Sequence, residues 1–66
     1  MNEKIRVKTN QDSRTAYLKL PGYPEEITPG LVAKSISLDD IYDYEGPRVQ
    51  LDFNKEGKLI GVEVVA

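Results

Sequence analysis

The sequence predicts an all-β fold, or a β-rich α+β fold, built as one small antiparallel meander sheet of four to five strands with at most one short helical turn. Several short segments alternate apolar and polar residues with a period of two, which is typical of strands with one buried face. Proline and glycine cluster between these segments, where neither a helix nor a central strand could continue. The 66 residues are expected to form a single domain, residues 1–66, with a thin core, because a chain of this size buries only about 60% of its unfolded surface.

A first hairpin is predicted from residues 4–9, "KIRVKT", and residues 14–20, "RTAYLKL". Residues 10–13, "NQDS", join them as a turn, because Asn, Asp and Ser side chains bond readily to nearby backbone. Tyr17 is expected on the polar side of this hairpin. The apolar side is predicted to carry Ile5, Val7, Ala16, Leu18 and Leu20.

The middle of the chain is predicted to hold a long loop and a third strand. Residues 21–30, "PGYPEEITPG", are too rich in proline and glycine for regular structure. Residues 31–38, "LVAKSISL", follow as a strand in which Val32, Ile36 and Leu38 share a face with Lys34. Ser37 and Asp40 have the spacing of a helix capping pair, so one turn of helix is expected there, with Ile41 packed inward.

The strongest strand signals lie in residues 48–53, "RVQLDF", and residues 58–65, "KLIGVEVV". The first segment alternates, and the second is rich in β-branched residues, which favour strands. Between them, residues 54–57, "NKEG", end in a glycine that can adopt a positive φ. The C-terminal third is therefore predicted to be a second hairpin.

The loop length of this second hairpin decides which residues face each other. A three-residue loop would pair Asn54 with Lys58. A four-residue loop would pair Leu51 with Ile60 and Arg48 with Glu63. We expect the four-residue loop, because it gathers nearly all the large apolar side chains of both strands on one face.

Residues 52–63, "DFNKEGKLIGVE", nearly match the ligand spacing of an EF-hand calcium loop. Such a loop needs a helix on each side, whereas the residues before Asp52 alternate as a strand does. The residues after Gly61 are mostly β-branched, which also disfavours a helix. The segment is therefore predicted to be a hairpin, and no metal ion is expected there.

Composition narrows the classes of function. The chain contains neither cysteine nor histidine, so it lacks disulfides, thiolate nucleophiles and the commonest proton shuttle. We predict that it is not an enzyme and that it uses no cofactor. The alternative is a carboxylate-based metal site, and the sequence does not show whether the acidic cluster has a role beyond solubility. That cluster is Asp39, Asp40, Asp43 and Glu45.

The second hairpin also carries a family resemblance. Residues 51–65, "LDFNKEGKLIGVEVV", resemble the closing motif of domain of unknown function 2283, a family of small bacterial and archaeal proteins. Residues 9–20, "TNQDSRTAYLKL", are similar to the family's opening motif at Tyr17 and Leu18, but Thr9, Asn10 and Arg14 depart from it. The resemblance implies a small β-rich fold with no established activity, and some relatives are thought to be antitoxins beside toxin-like partners. The residues that fit the closing motif are Leu51, Asp52, Phe53, Gly57, Leu59, Gly61 and Glu63.

The predicted sheet has one apolar side and no helix long enough to cover it. Such a side must curl on itself, be covered by the loop of residues 21–30, or meet another sheet. We therefore predict a protein-interaction or self-association module, either a homodimer or an antitoxin-like partner of a small toxin. In an alternative interpretation the tyrosines only pack against the sheet. The predicted contact residues are Tyr17, Tyr42, Tyr44, Val49, Leu51, Phe53, Ile60, Val62 and Val64.

Charge suggests a second hypothesis. The net charge of −2 argues against a general nucleic-acid binder, yet the basic residues concentrate in the first hairpin. The alternative function is therefore weak nucleic-acid binding through that hairpin. No stretch is long enough to span a membrane, and a cysteine-free chain without a signal peptide is expected in the cytoplasm. The basic residues concerned are Lys4, Arg6, Lys8, Arg14 and Lys19.

Overall fold

A computed structural model describes residues 4–26 and 28–66. Within them the chain forms one five-stranded antiparallel sheet and a single 3₁₀ turn, which confirms the predicted all-β fold. Residue 27, inside the predicted loop, and residues 1–3 lie outside the described part. The strands are β1 (Arg6–Asn10), β2 (Thr15–Lys19), β3 (Lys34–Ser37), β4 (Arg48–Phe53) and β5 (Leu59–Val65).

The strands are ordered β1-β2-β5-β4-β3 across the sheet. The strands β3, β4 and β5 form a meander, and the first hairpin joins it by pairing β2 with β5. The last strand of the chain is therefore the central one. The third strand lies at an edge and is shorter than residues 31–38, although the N–H of Ala33 still bonds to the carbonyl of Phe53 at 2.9 Å.

Cross-strand pairing places apolar residues in two rows on one side of this sheet, because directly opposed residues of an antiparallel pair share a face. The first row crosses all five strands, and the second crosses four. We call the apolar residues of these rows the apolar face. They are Val7, Leu18, Val62, Leu51 and Ile36 in the first row, and Ala16, Val64 and Val49, with Thr9 at the edge, in the second.

The turn of the second hairpin has three residues, so the predicted four-residue loop is wrong. The N–H of Asn54 bonds to the carbonyl of Lys58 at 3.0 Å. The side-chain oxygen of Asn54 accepts the N–H groups of Glu56 and Lys58, each at 3.0 Å. Gly57 closes the turn with φ +80°. The Asn54 side chain thus fixes a shorter turn than the apolar pattern alone indicated.

A β-bulge beyond this turn restores the predicted faces. The register shifts between Asp52 and Phe53, so that Leu51 lies opposite Val62 rather than Ile60, and Arg48 lies opposite Val65 rather than Glu63. From Arg48 to Asp52 the observed pairing differs from the predicted one by two residues, and an even shift keeps these side chains on their predicted faces.

The core is thin, as expected for this length. Among the large apolar side chains of the described residues, Ile60 alone is fully buried, with 0% of its surface exposed. It is the residue left unpaired at the bulge, and its carbonyl accepts the N–H of Leu20 at 2.9 Å. The bulge therefore supplies the best-buried side chain of the sheet.

The predicted helical turn is present as a 3₁₀ turn, Leu38–Asp40. The capping prediction is wrong, because the Ser37 side chain makes no cap bond and its Oγ donates instead to the carboxylate of Asp39. Ile41 does not pack inward, since 62% of its surface is exposed.

Candidate interaction surface

The apolar face is only partly covered. Its residues on β2, β3, β4 and β5 are half-buried, and Val7 at the β1 edge is 63% exposed. In the paired strand positions on this side, Lys34 is the one charged residue, and it lies at a corner opposite Phe53. The centre of the face is therefore a continuous uncharged surface, which is the kind of patch that marks interaction sites.

The opposite side of the sheet is organised around Tyr17. Its hydroxyl donates to Oδ2 of Asp52 at 2.7 Å, and Oγ of Ser35 donates to Oδ1 of the same carboxylate at 2.7 Å. Tyr17 lies on β2 and Asp52 on β4, so the tyrosine side chain must cross β5 to reach it. These two hydrogen bonds tie β2, β3 and β4 together on one side of the sheet.

Gly61 makes that crossing possible. It lies between Lys19 and Asp52 in the ladder, directly beneath the tyrosine side chain. A Cβ built at this glycine would lie 2.0 Å from the hydroxyl oxygen of Tyr17, so no other residue fits while Tyr17 keeps its place. Burial first, and then the hydrogen bond and negative charge of Asp52, raise the pKa of the Tyr17 hydroxyl above its ordinary value.

Part of the proline-rich loop folds over this same side. The Tyr23 ring meets Tyr17 edge to face, with centroids 6.0 Å apart, and Nζ of Lys19 lies 5.2 Å from the Tyr23 centroid. Arg6 donates a hydrogen bond to the Tyr23 carbonyl. Tyr23 therefore accommodates two cations that are direct neighbours in the β1–β2 ladder. The loop segment that carries Tyr23 therefore lies on the polar side and not over the apolar face.

The predicted contact residues fall into different places. Val49, Leu51, Val62 and Val64 lie on the apolar face, and Phe53 lies at its end opposite Leu59. The other four, Ile60 and the three tyrosines, do not belong to this surface. Ile60 was expected to contact a partner, but it is fully buried and cannot do so. Tyr17 lies on the polar side, where its hydroxyl is bonded within the chain.

The remaining two predicted tyrosines differ from each other. Tyr42 is 70% exposed, so it does not pack on the sheet. The Tyr44 hydroxyl donates to the carbonyl of Pro47 at 2.8 Å and accepts the N–H of Val49 at 3.2 Å. Tyr44 therefore holds the start of β4 in place.

The basic residues of the first hairpin do not form one free surface. Arg6 and Lys19 are half-buried and interact with Tyr23, whereas Lys4, Lys8 and Arg14 are exposed. Arg14 occupies the tight turn with φ +54°, and its carbonyl accepts the N–H of Ala66 at 2.9 Å.

The carboxylates do not converge. Asp39, Asp40, Asp43 and Glu45 are all exposed, and the described residues contain no group of three or more acids placed to hold a metal ion. The EF-hand-like segment is a hairpin, as predicted. Its first acid, Asp52, already accepts two hydrogen bonds.

Comparisons with protein-family models, curated proteins and solved structures found no significant match. The resemblance to domain of unknown function 2283 stays a prediction. In the described part of the chain, no helix has the length and apolar character needed to cross a membrane.

Sequence reasoning missed half of the apolar face. Val7, Ala16, Leu18 and Ile36 were predicted to lie on apolar sides of their strands but were not included among the contact residues. The alternation of apolar and polar residues in their strands is evident in the sequence. Placing them on one surface with Val62 requires knowing that β5 lies between β2 and β4. That adjacency is non-local and has no short-range signal.

Proposed function

We propose that this protein is a non-catalytic interaction module that binds another polypeptide through the apolar face. One observation carries the proposal: the apolar face is only partly covered, with Val7 exposed and its other strands half-buried, while the Tyr23 segment of the longest loop lies on the opposite side. The partner is either a second copy of the chain or a small protein.

The chemistry of the two sides supports this assignment. On the polar side, Tyr17, Asp52 and Ser35 satisfy one another, and Arg6 and Lys19 are held by Tyr23. On the apolar face, by contrast, most strand side chains are aliphatic and have no hydrogen-bonding groups. Removing such surface from water stabilises a complex by about 25 cal/mol per Å², before the losses of freedom on association are subtracted.

The resemblance of residues 51–65 to domain of unknown function 2283 adds a candidate for the partner. It favours an antitoxin-like role, in which the apolar face covers a small toxin in a bacterial cell. The lack of cysteine is typical of a reducing compartment, and we place the module in the cytoplasm.

The test compares the wild-type chain with Val7→Lys, which puts a charge on the apolar face, and with Lys8→Thr, which changes the neighbouring exposed position on the other side. Mass by light scattering and fluorescence of the dye ANS, which binds open apolar surface, are both measured. We expect either an assembly larger than one chain, or a single chain that binds ANS. Val7→Lys should weaken whichever is seen, and Lys8→Thr should not. A single chain that fails to bind ANS contradicts the proposal.

Nucleic-acid binding has less support. Two of its five basic residues, Arg6 and Lys19, are occupied by Tyr23. The acidic excess of the remaining chain also opposes phosphate binding.

A further inference from the structure

We infer that the apolar face is covered by a second copy of this chain, stacked sheet on sheet about a two-fold axis that runs along β5. This inference rests on the proposed function and names the partner and its orientation. Four observations support it: the surface area of the chain, the blunted edges of the sheet, the composition of the apolar face, and the distribution of charge.

The surface area exceeds that of a compact monomer of the same mass. The chain exposes 5322 Å², whereas a compact monomer of 7.4 kDa exposes about 4200 Å². The excess of about 1100 Å² is spread over the chain, since Ile5, Val32 and Tyr42 are exposed as well as Val7. The apolar face supplies part of it, and a standard interface buries about 800 Å² per partner. The radius of gyration, 12.4 Å, also exceeds the roughly 10.8 Å of a compact chain of this length.

Pairing through sheet edges is disfavoured. The β3 edge has only four residues, and the 3₁₀ turn Leu38–Asp40 follows it at once. The β1 edge carries Arg6 and Lys8, charges of the kind that block edge-to-edge pairing. The open face, rather than an open edge, is therefore where a second copy fits.

The face is also complementary to itself. A two-fold axis brings the same surface of both copies together, so any charge near the axis would meet its own image. The residues nearest the axis, Val62 and Val64 on β5, are uncharged. On the polar side, Glu63 of β5 would face its own copy, which excludes that side.

An axis along β5 reverses the strand order of the second copy. Val7 of one copy then lies over Ile36 of the other, Leu18 over the other copy's Leu51, and the small Ala16 over the other copy's Val49. Sheets packed in this way lie about 10 Å apart and cross at about 30°. Each small or exposed side chain thereby meets a larger one.

Charge favours this axis over one perpendicular to the strands. The perpendicular axis would stack β1 on β1, which brings two basic edges together. The axis along β5 instead places the exposed acidic segment after β3 near the other copy's first turn, which carries the exposed Arg14. Residues 1–20 contain five basic and two acidic residues, whereas residues 21–66 contain four basic and nine acidic residues.

The experiment uses the absence of native cysteine. The single variants Val7→Cys and Ile36→Cys are mixed in equal amounts and treated with a bismaleimide that spans the sheet spacing of about 10 Å. We expect a cross-linked product that contains one chain of each variant, and a mass by light scattering of twice the 7.4 kDa of one chain. The matched control, Lys8→Cys on the other side of β1, should not cross-link with either variant.

Each other outcome overturns a stated part. A dimer in which Val7→Cys cross-links only to itself overturns the axis. A single chain at all concentrations that binds ANS overturns the second copy as partner and leaves the proposed function standing. A single chain that does not bind ANS overturns both.

Discussion

Replacing Gly61 with alanine should destabilise the fold through Tyr17. The new Cβ would lie 2.0 Å from the Tyr17 hydroxyl oxygen and 2.7 Å from the ring carbon that bears it. The ring must therefore swing away, and its bond to the Asp52 carboxylate is lost. A hydrogen bond to a charged group contributes about 1.5–3 kcal/mol, and the lost contact with Tyr23 adds roughly 0.5–1.5 kcal/mol. The opposing gain from replacing glycine in a strand is only about 0.5–1 kcal/mol.

We therefore expect Gly61→Ala to lower the free energy of unfolding by about 1–4 kcal/mol. That is a large share of the roughly 3–10 kcal/mol available to a chain of this length. Urea denaturation followed by far-ultraviolet circular dichroism measures the change. The decisive comparison is with the double variant Tyr17→Ala/Gly61→Ala. Once the ring is absent, the Gly61 substitution should be neutral or stabilising relative to Tyr17→Ala alone.

Gly57 provides the matched control. A Cβ there meets nothing within 4 Å, but the residue has φ +80°, so Gly57→Ala should cost about 1–2 kcal/mol for backbone reasons alone. That loss should be the same with and without the Tyr17 ring. If the loss of stability caused by Gly61→Ala is also the same with and without the Tyr17 ring, then Gly61 does not act by making room for the Tyr17 side chain above β5.

Three further outcomes are expected. The raised pKa of Tyr17 means that the folded state holds its proton more tightly than the unfolded state, whose pKa is about 10. The stability that this difference contributes is fully present below that pH and is lost as the pH rises above it. Tyr17→Phe should therefore reduce the loss of folding stability at alkaline pH in urea melts. An unchanged dependence of stability on pH would contradict the assignment. Asp52→Ala should lower stability by about 1–3 kcal/mol because two donors lose their acceptor, whereas Asp43→Ala, at an exposed site, should change it by less than about 0.5 kcal/mol; equal effects in chemical denaturation would be inconsistent with the structure. Tyr44→Phe should cost about 1 kcal/mol by removing the hydroxyl that holds the start of β4, while thermal melts of Tyr42→Phe should match the wild type.

The fold class and the faces of the strands could be predicted from the sequence because they depend on local alternation. Val49 and Leu51, for example, share a face whatever strand lies beside them. The register could not be predicted, since it depends on the bonds of the Asn54 side chain and on one unpaired residue, Ile60. Both are properties of the folded hairpin that an apolar pattern does not record.

The contacts on the polar side of the sheet could not be predicted from local sequence patterns either. Tyr17 and Asp52 are 35 positions apart, and the role of Gly61 beneath Tyr17 depends on the position of β5 between β2 and β4. Similarly, the Pro-rich segment was expected as a loop, but only the structure shows that Tyr23 lies on the side with Arg6 and Lys19.

The central position of β5 has a consequence for folding during synthesis. The ribosome makes β5 after the other four strands of the sheet, so the first hairpin has no neighbouring strand until β5 has emerged. A lone two-stranded hairpin is at best marginally stable in water. The sheet is therefore completed only when β5 is added, and a chain interrupted before Leu59 would lack the strand that pairs with both β2 and β4.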